Sequence, residues 1–150
     1  MDQTASEKNI RYSLRRFLTD EIETANGKSI SFDTALVDPA LHEKTVAEWI
    51  VVKLGPLARG GMSEVSVELV CATRGDHEGI KLSELSDIVF ATMTDDTKED
   101  GKRRIPFYNS SLQIIGALLV QDVKDGGDMS APDRTKFKII NCRIRWVAKA

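Results

Sequence analysis

The side chains of this chain that could do chemistry are few and scattered. His42 neighbours Glu43, and His77 sits between Asp76 and Glu78; no other histidine occurs. A general base or a metal ligand is what such residues would supply, but both lie in segments that read as loops, where a solvated histidine is the ordinary case. A closed zinc site needs about four ligands at fixed spacing, and no CxxC, HxxxH or HExxH is present. A nucleophilic cysteine needs an activating base and exposure. Cys71 and Cys142 both fall on the apolar phase of strand-like patterns, so they read as buried free thiols, with a disulfide as the minority reading. Asp95, Asp96, Glu99 and Asp100 would suit a hard cation, yet a charge run of this kind reads first as a solvated face. Arg74-Gly75-Asp76 matches an adhesion tripeptide and reads as a turn before a helix. The glycines form neither a phosphate loop nor a GxGxxG after a strand. No catalytic residue, metal or cofactor is expected.

Basic residues form two sets. Lys102-Arg103-Arg104 and the group Lys136, Lys138, Arg143 and Arg145 could contact phosphates. No aromatic platform interleaves with them, as single-strand binding would prefer. A solvated or interfacial cationic face is the simpler reading, and Arg143 and Arg145 would equally suit carboxylates of a neighbouring subunit.

Bulk properties set the frame for these side chains. At 150 residues, one domain over residues 1–150 is expected, with residues 1–7 flexible. A hydrophobic content of 41%, a charged content of 29% and a net charge of -2 describe an ordinary globular chain and argue against a general polyanion binder. The polar start, residues 1–9, has no apolar signal core, and no apolar run approaches the roughly 18 residues of a membrane span. A soluble product made in a cytoplasm is expected.

The elements that must position these residues follow from periodicity. Ile10, Leu14, Phe17, Leu18 and Ile22 recur at helical spacing over about residues 7–25, with Thr4 and Glu7 as a capping box and Asn26-Gly27 as the stop. Residues 29–33 read as a short strand and 34–44 as a loop. Residues 46–54 are apolar in both phases, as a strand covered on both sides would be. Gly55-Pro56 is expected to break that strand, and a loop over 55–63 to join it to a strand at 64–73. A helix is expected over 80–94, with Leu82, Leu85, Ile88, Val89 and Met93 buried. Residues 94–102 read as a charged loop. Pro106 demotes 103–108 to an edge strand. A long hairpin closes the chain: 112–123 carries apolar residues in both phases, 124–133 reads as a mobile tip, and 140–146 alternates Ile140, Cys142, Ile144 and Trp146 against Asn141, Arg143 and Arg145. The expected fold is α+β: a mostly antiparallel sheet of five to six strands with two helices on one face, in the order α-β-β-β-α-β-β-β. Two helices cover one face of such a sheet, so another copy of the chain is expected to cover the second.

This arrangement resembles the tail terminator proteins of long-tailed bacteriophages. The resemblance rests on the opening helix Ile10 to Ile22, the strand Ala47-Glu48-Trp49-Ile50-Val51-Val52, and its hairpin partner Val65-Ser66-Val67-Glu68-Leu69-Val70-Cys71. The helix Leu82 to Met93 and the closing strand Cys142-Arg143-Ile144-Arg145-Trp146-Val147 complete it, over about residues 8–148. It implies a non-enzymatic virion protein, assembled in the host cytoplasm. Hexameric rings of that family cap the head-proximal end of the tail tube, stop its polymerisation and offer a surface for joining the head. Implied partners are further copies of the chain, the tail tube protein and a head-completion or neck protein, with DNA only as passing cargo and no membrane. The neighbouring readings are another virion assembly protein, in the neck or tube, and a small enzyme or nucleic-acid-binding domain of unrelated origin. Leu57, Arg59 and Met62 in the first hairpin loop, Met129 in the second tip, and Arg103, Arg104, Arg143 and Arg145 are the expected subunit or partner contacts.

Overall fold

A computed structural model of the chain describes residues 6–32, 47–58, 64–132 and 134–148. Helix α1 spans Glu7–Leu18 and continues as a π-helical extension, Thr19–Thr24. Its cap is Ser6, whose hydroxyl accepts the Asn9 N–H; the anticipated Thr4 lies outside the described residues. The π segment has a reason in the sequence. An apolar stripe at Ile10, Leu14, Leu18 and Ile22 drifts about 40° per four residues around an α-helix. Widening the last turn cancels that drift, and Ile22 stays buried with the other three. Gly27, at φ +67°, ends the helix as expected: its N–H bonds the Glu23 carbonyl and the Lys28 N–H reaches Ile22.

Among the described residues, six strands follow the expected order: β1 (Ile30–Phe32), β2 (Glu48–Ala58), β3 (Glu64–Thr73), then α2 (Ile80–Met93), β4 (Arg104–Tyr108), β5 (Ile114–Ser130) and β6 (Lys136–Ala148). They form one sheet, β1-β2-β3-β6-β5-β4, antiparallel except for the β1–β2 pair, and the sheet curls into a half-barrel. The α+β class and the edge position of β4 are as expected. Pro106 costs no ladder bond there.

Two boundaries differ from expectation. Gly55-Pro56 does not end β2. The strand passes through it with a register shift between Leu54 and Leu57, and Leu57 pairs with Val65. Likewise, 124–130 is not a loose tip but part of β5, paired with β6 across a second shift at Asp125/Asp128. The turn proper is closed by Ala131 N–H to the Thr135 carbonyl, 2.8 Å. A third shift, at Val120/Asp122, changes the phase of β5, so that Val123 pairs with Cys142 and packs against the main core. The loop expected at 34–44, with His42, lies outside the described residues.

Both helices pack on one face of the sheet. Ile10, Leu14, Leu18 and Ile22 join Leu82, Leu85, Val89 and Met93 in a single buried cluster with the inward residues of the strands, such as Leu69, Leu118 and Ile144. A fully buried Leu or Ile contributes about 1.5–3 kcal/mol, so this cluster dominates stability. Ser13, buried on α1, accepts the Tyr108 N–H at 2.9 Å and ties the helix to the edge strand β4.

Candidate functional site

The face of the sheet turned away from the helices is where function has room to act, and it is divided. At one end runs an apolar rung, one residue from each of four strands: Trp49 opposite Ala72, Ala72 opposite Phe137, Phe137 opposite Met129. The next rung is Val51, Val70 and Ile139. Trp49, Val51, Val70 and Ala72 are buried, with Phe137 and Ile139 packed against them. The Arg74 guanidinium lies 5.0 Å from the Trp49 ring centre. Met129 is 37% exposed at the rim.

Beyond these rungs the same face turns ionic. Arg143 reaches Glu64 at 3.1 Å and Asp122 at 2.6 Å, and Arg145 lies 3.7 Å from Glu64. Cross-strand register makes these pairs: Glu64 is opposite Arg145, and Ser66 and Asp122 are opposite Arg143. The cationic side expected of 140–146 thus lies on this second face, and the apolar character expected from 46–54 and 112–123 reaches only part of it. The phase change in β5 carries Val123 to the helix side and leaves Asp122 outside to neutralise an arginine. Strand parity also splits the basic group expected from sequence. Lys138 points to the helix side, where Asp125 and Asp128 hold it at 3.0 and 3.1 Å. The hydrogen bond that Lys138 donates to Asp125, with that to Asp128, raises the Lys138 pKa despite its burial.

The other anticipated contact residues are scattered. Leu57 does not project from a loop; it lies in β2 and packs against the main core. Arg59 and Met62 lie outside the described residues. Arg103 is turned inward: its guanidinium donates to the Thr92 and Ala91 carbonyls at 3.0 and 3.3 Å, closing the C-terminal end of α2, and sits 3.9 Å from Asp95. Arg104 is exposed and pairs with Asp100 at 3.1 Å. The acidic turn 95–100 is internally organised. The Thr97 hydroxyl and N–H hold Asp95 below the usual carboxylate pKa, and the Lys102 N–H with Arg104 does the same for Asp100. Among the described residues, no cluster of three or more His, Cys, Asp or Glu could hold a metal ion, and no helix is long and apolar enough to cross a membrane. Cys71 and Cys142 are free and buried, and burial pushes both thiols up to about 12, far from the thiolate a nucleophile requires.

Sequence reasoning missed a cleft of about 470 Å³ between the β3–α2 turn and the β5–β6 turn, lined by Arg74, Gly75, Asp76, His77, Arg134 and Lys136 among others. Asp76 is committed to structure: it accepts the Leu82 N–H at 2.9 Å and the Thr73 hydroxyl at 3.2 Å. Burial alone would raise its pKa; hydrogen bonds from the Leu82 and Lys81 N–H groups and Thr73, with Lys136 nearby, outweigh that and lower it. Lys136 donates to the His77 carbonyl at 2.7 Å. Arg134 stands exposed on a left-handed backbone, φ +67°. The Arg-Gly-Asp turn, His77 and Lys136 each stood out in the sequence, but their meeting in one cleft joins residues some 60 positions apart.

Comparison with models of known protein families gives no match, and no curated protein matches the chain. A solved structure whose name describes no activity is similar to it over 97% of this chain and 99% of its own, with a TM-score of 0.67 and 9% identity. At that identity the likeness concerns the fold alone.

Proposed function

We propose that this chain is a non-enzymatic structural subunit of a bacteriophage tail, of the tail-terminator kind: its copies form a ring on the head-proximal end of the tail tube, stop tube growth and present the surface to which the head joins. The observation that carries the reading is the distribution of exposed apolar side chains. Leu112 and Ile114, 57% and 64% exposed, mark the start of β5, Met129, 37% exposed, stands near its far end, and Ile80 on α2 and Tyr12 on α1 are exposed as well. A strand of 17 residues spans about 50 Å at ~3.3 Å per residue, so these patches lie at opposite ends of the subunit's longest element. Apolar surface at two separate ends of one subunit suits contacts repeated from copy to copy, which close into rings when the rotation between copies allows. The element order expected from the tail-terminator resemblance supports the reading. Engagement of Arg143 and Arg145 by Glu64 and Asp122 weakens the nucleic-acid alternative, because paired guanidiniums release fewer counterions from phosphates.

Light scattering with negative-stain microscopy of the purified chain tests the proposal. Closed rings, and arrest of tube-protein polymerisation at a stoichiometric ratio, are expected. A strictly monomeric species at high concentration, or open filaments, would remove it.

A further inference from the structure

The exposed side of α1 is made of Glu7, Lys8, Arg11, Tyr12, Arg15 and Arg16. It sets four cations and a tyrosine against one carboxylate, in a chain whose net charge is -2. Glu7 pairs with Arg11 at 3.4 Å. Arg143 and Arg145 are neutralised by carboxylates, but Lys8, Arg15 and Arg16 make no ion pair among the described residues. Aromatic rings hold the two arginines instead. The Arg15 guanidinium lies 5.4 Å from the Phe32 ring centre, and that of Arg16 lies 4.5 Å from the Tyr108 ring centre. Tyr108 in turn meets Tyr12 edge to face, with 6.5 Å between ring centres. The rings therefore position these guanidiniums and leave their charge in place.

Neighbouring groups do not cancel that charge. The turn 109–113, tied to α1 by the Ser110 hydroxyl donating to Asn9 at 3.3 Å, is uncharged. Asp20, Glu21 and Glu23 follow on the π-helical extension. Along the helix axis Asp20 is about 6 Å from Arg16 and about 18 Å from Lys8, against a Debye length of about 8 Å at physiological salt. These acids bound the cationic stretch at one end, and the rest of it lies beyond their reach. Asp2 and Asp33 lie outside the described residues.

We infer that this side of α1 binds the phosphate backbone of duplex DNA without regard to sequence, through Lys8, Arg15 and Arg16, with the Tyr12 hydroxyl as a further donor. Lys8 to Arg16 covers about 12 Å of helix, the length over which one strand of a duplex presents about three or four phosphates. The rings of Phe32 and Tyr108 are covered by guanidiniums, so they cannot serve as the open stacking platforms that single strands use. A protein partner fits less well, because interface cores are depleted of charge and this side offers no aliphatic side chain. Nucleic-acid interfaces are strongly cationic. The inference does not rest on the ring reading.

Fluorescence anisotropy of the full chain with short DNA duplexes of unrelated sequence tests it. Wild-type affinity is expected to be alike for each duplex and to fall roughly 40-fold between about 50 and 200 mM salt, as three phosphate contacts require. Arg15→Ala or Arg16→Ala alone reduces that fall to roughly 12-fold, and Lys8→Ala combined with both reduces it below roughly 2-fold. Arg15→Lys with Arg16→Lys gives up the ring contacts, keeps the charge and retains most of the salt dependence. Arg104→Ala, at an exposed arginine on β4 that pairs with Asp100, changes nothing, and circular dichroism checks that each variant is folded. Absence of wild-type binding at low salt overturns the inference, as does a salt dependence that survives the triple replacement or falls equally in Arg104→Ala. Polyglutamate that competes as well as unlabelled duplex also overturns it, and assigns this side to an acidic protein segment.

Discussion

Gly55 lies where β2 passes Ser66 of β3, and a Cβ added there would stand 2.9 Å from the Ser66 carbonyl oxygen. Because the obstacle is backbone, the ladder itself must shift. Gly55→Ala is therefore expected to destabilise the chain by about 1–3 kcal/mol, read as a lowered urea midpoint with an unchanged slope. An unaltered midpoint would mean that β2 is looser there than the register implies. Gly126 repeats the device on β5, with the Ile139 carbonyl 2.8 Å from its virtual Cβ. Both glycines looked like strand breakers in the sequence. Their small size instead lets a strand continue through a bulge, which only the partner strand reveals. Parity placed Cys71 and Cys142 correctly, because an alternating strand states its own buried side. The counter-ions of Arg143 were not legible, since Glu64 and Asp122 reach it only through pairing.

Among the elements, α2 shows most clearly how two adjacent arginines come to differ. Arg103 donates to two carbonyls of the helix's last turn and touches Asp95, while Arg104 pairs with Asp100 at the surface. Arg103→Ala leaves those carbonyls short of donors and is expected to cost about 1–3 kcal/mol. Arg104→Ala is expected to cost less than about 0.5 kcal/mol, as exposed ion pairs do. Thermal unfolding of the two variants side by side distinguishes them, and equal losses would refute the capping role of Arg103. At this scale the helices and strand cores were readable because a hydrophobic period encodes which side is covered. Strand ends were not: Gly55-Pro56 and Gly126-Gly127 are turn signals locally, and tertiary pairing overrides them.

For the molecule as a whole, the titrating groups set a stability window. Asp76, Asp95, Asp100 and Asp125 all have lowered pKa values. Each therefore contributes stability that is complete above the unfolded value of 3.8 and is lost as pH falls through its folded value. Lys138 is raised above 10.5, so its contribution is complete below that pH and is lost as pH rises through the folded value. A plateau between these limits with an acid-side fall is expected in denaturant midpoints measured across pH. A fall beginning near neutrality would show that another group governs acid unfolding.

What the sequence by itself determined is the class of the fold, the order of its elements and the buried phase of the alternating strands β3 and β6, because solvent exclusion imprints a period on neighbouring residues. Tertiary structure decided where strands bulge, which carboxylate meets which arginine, and that a cationic cleft exists. Those outcomes depend on residues tens of positions apart being brought within a few ångströms, and no local pattern carries that distance.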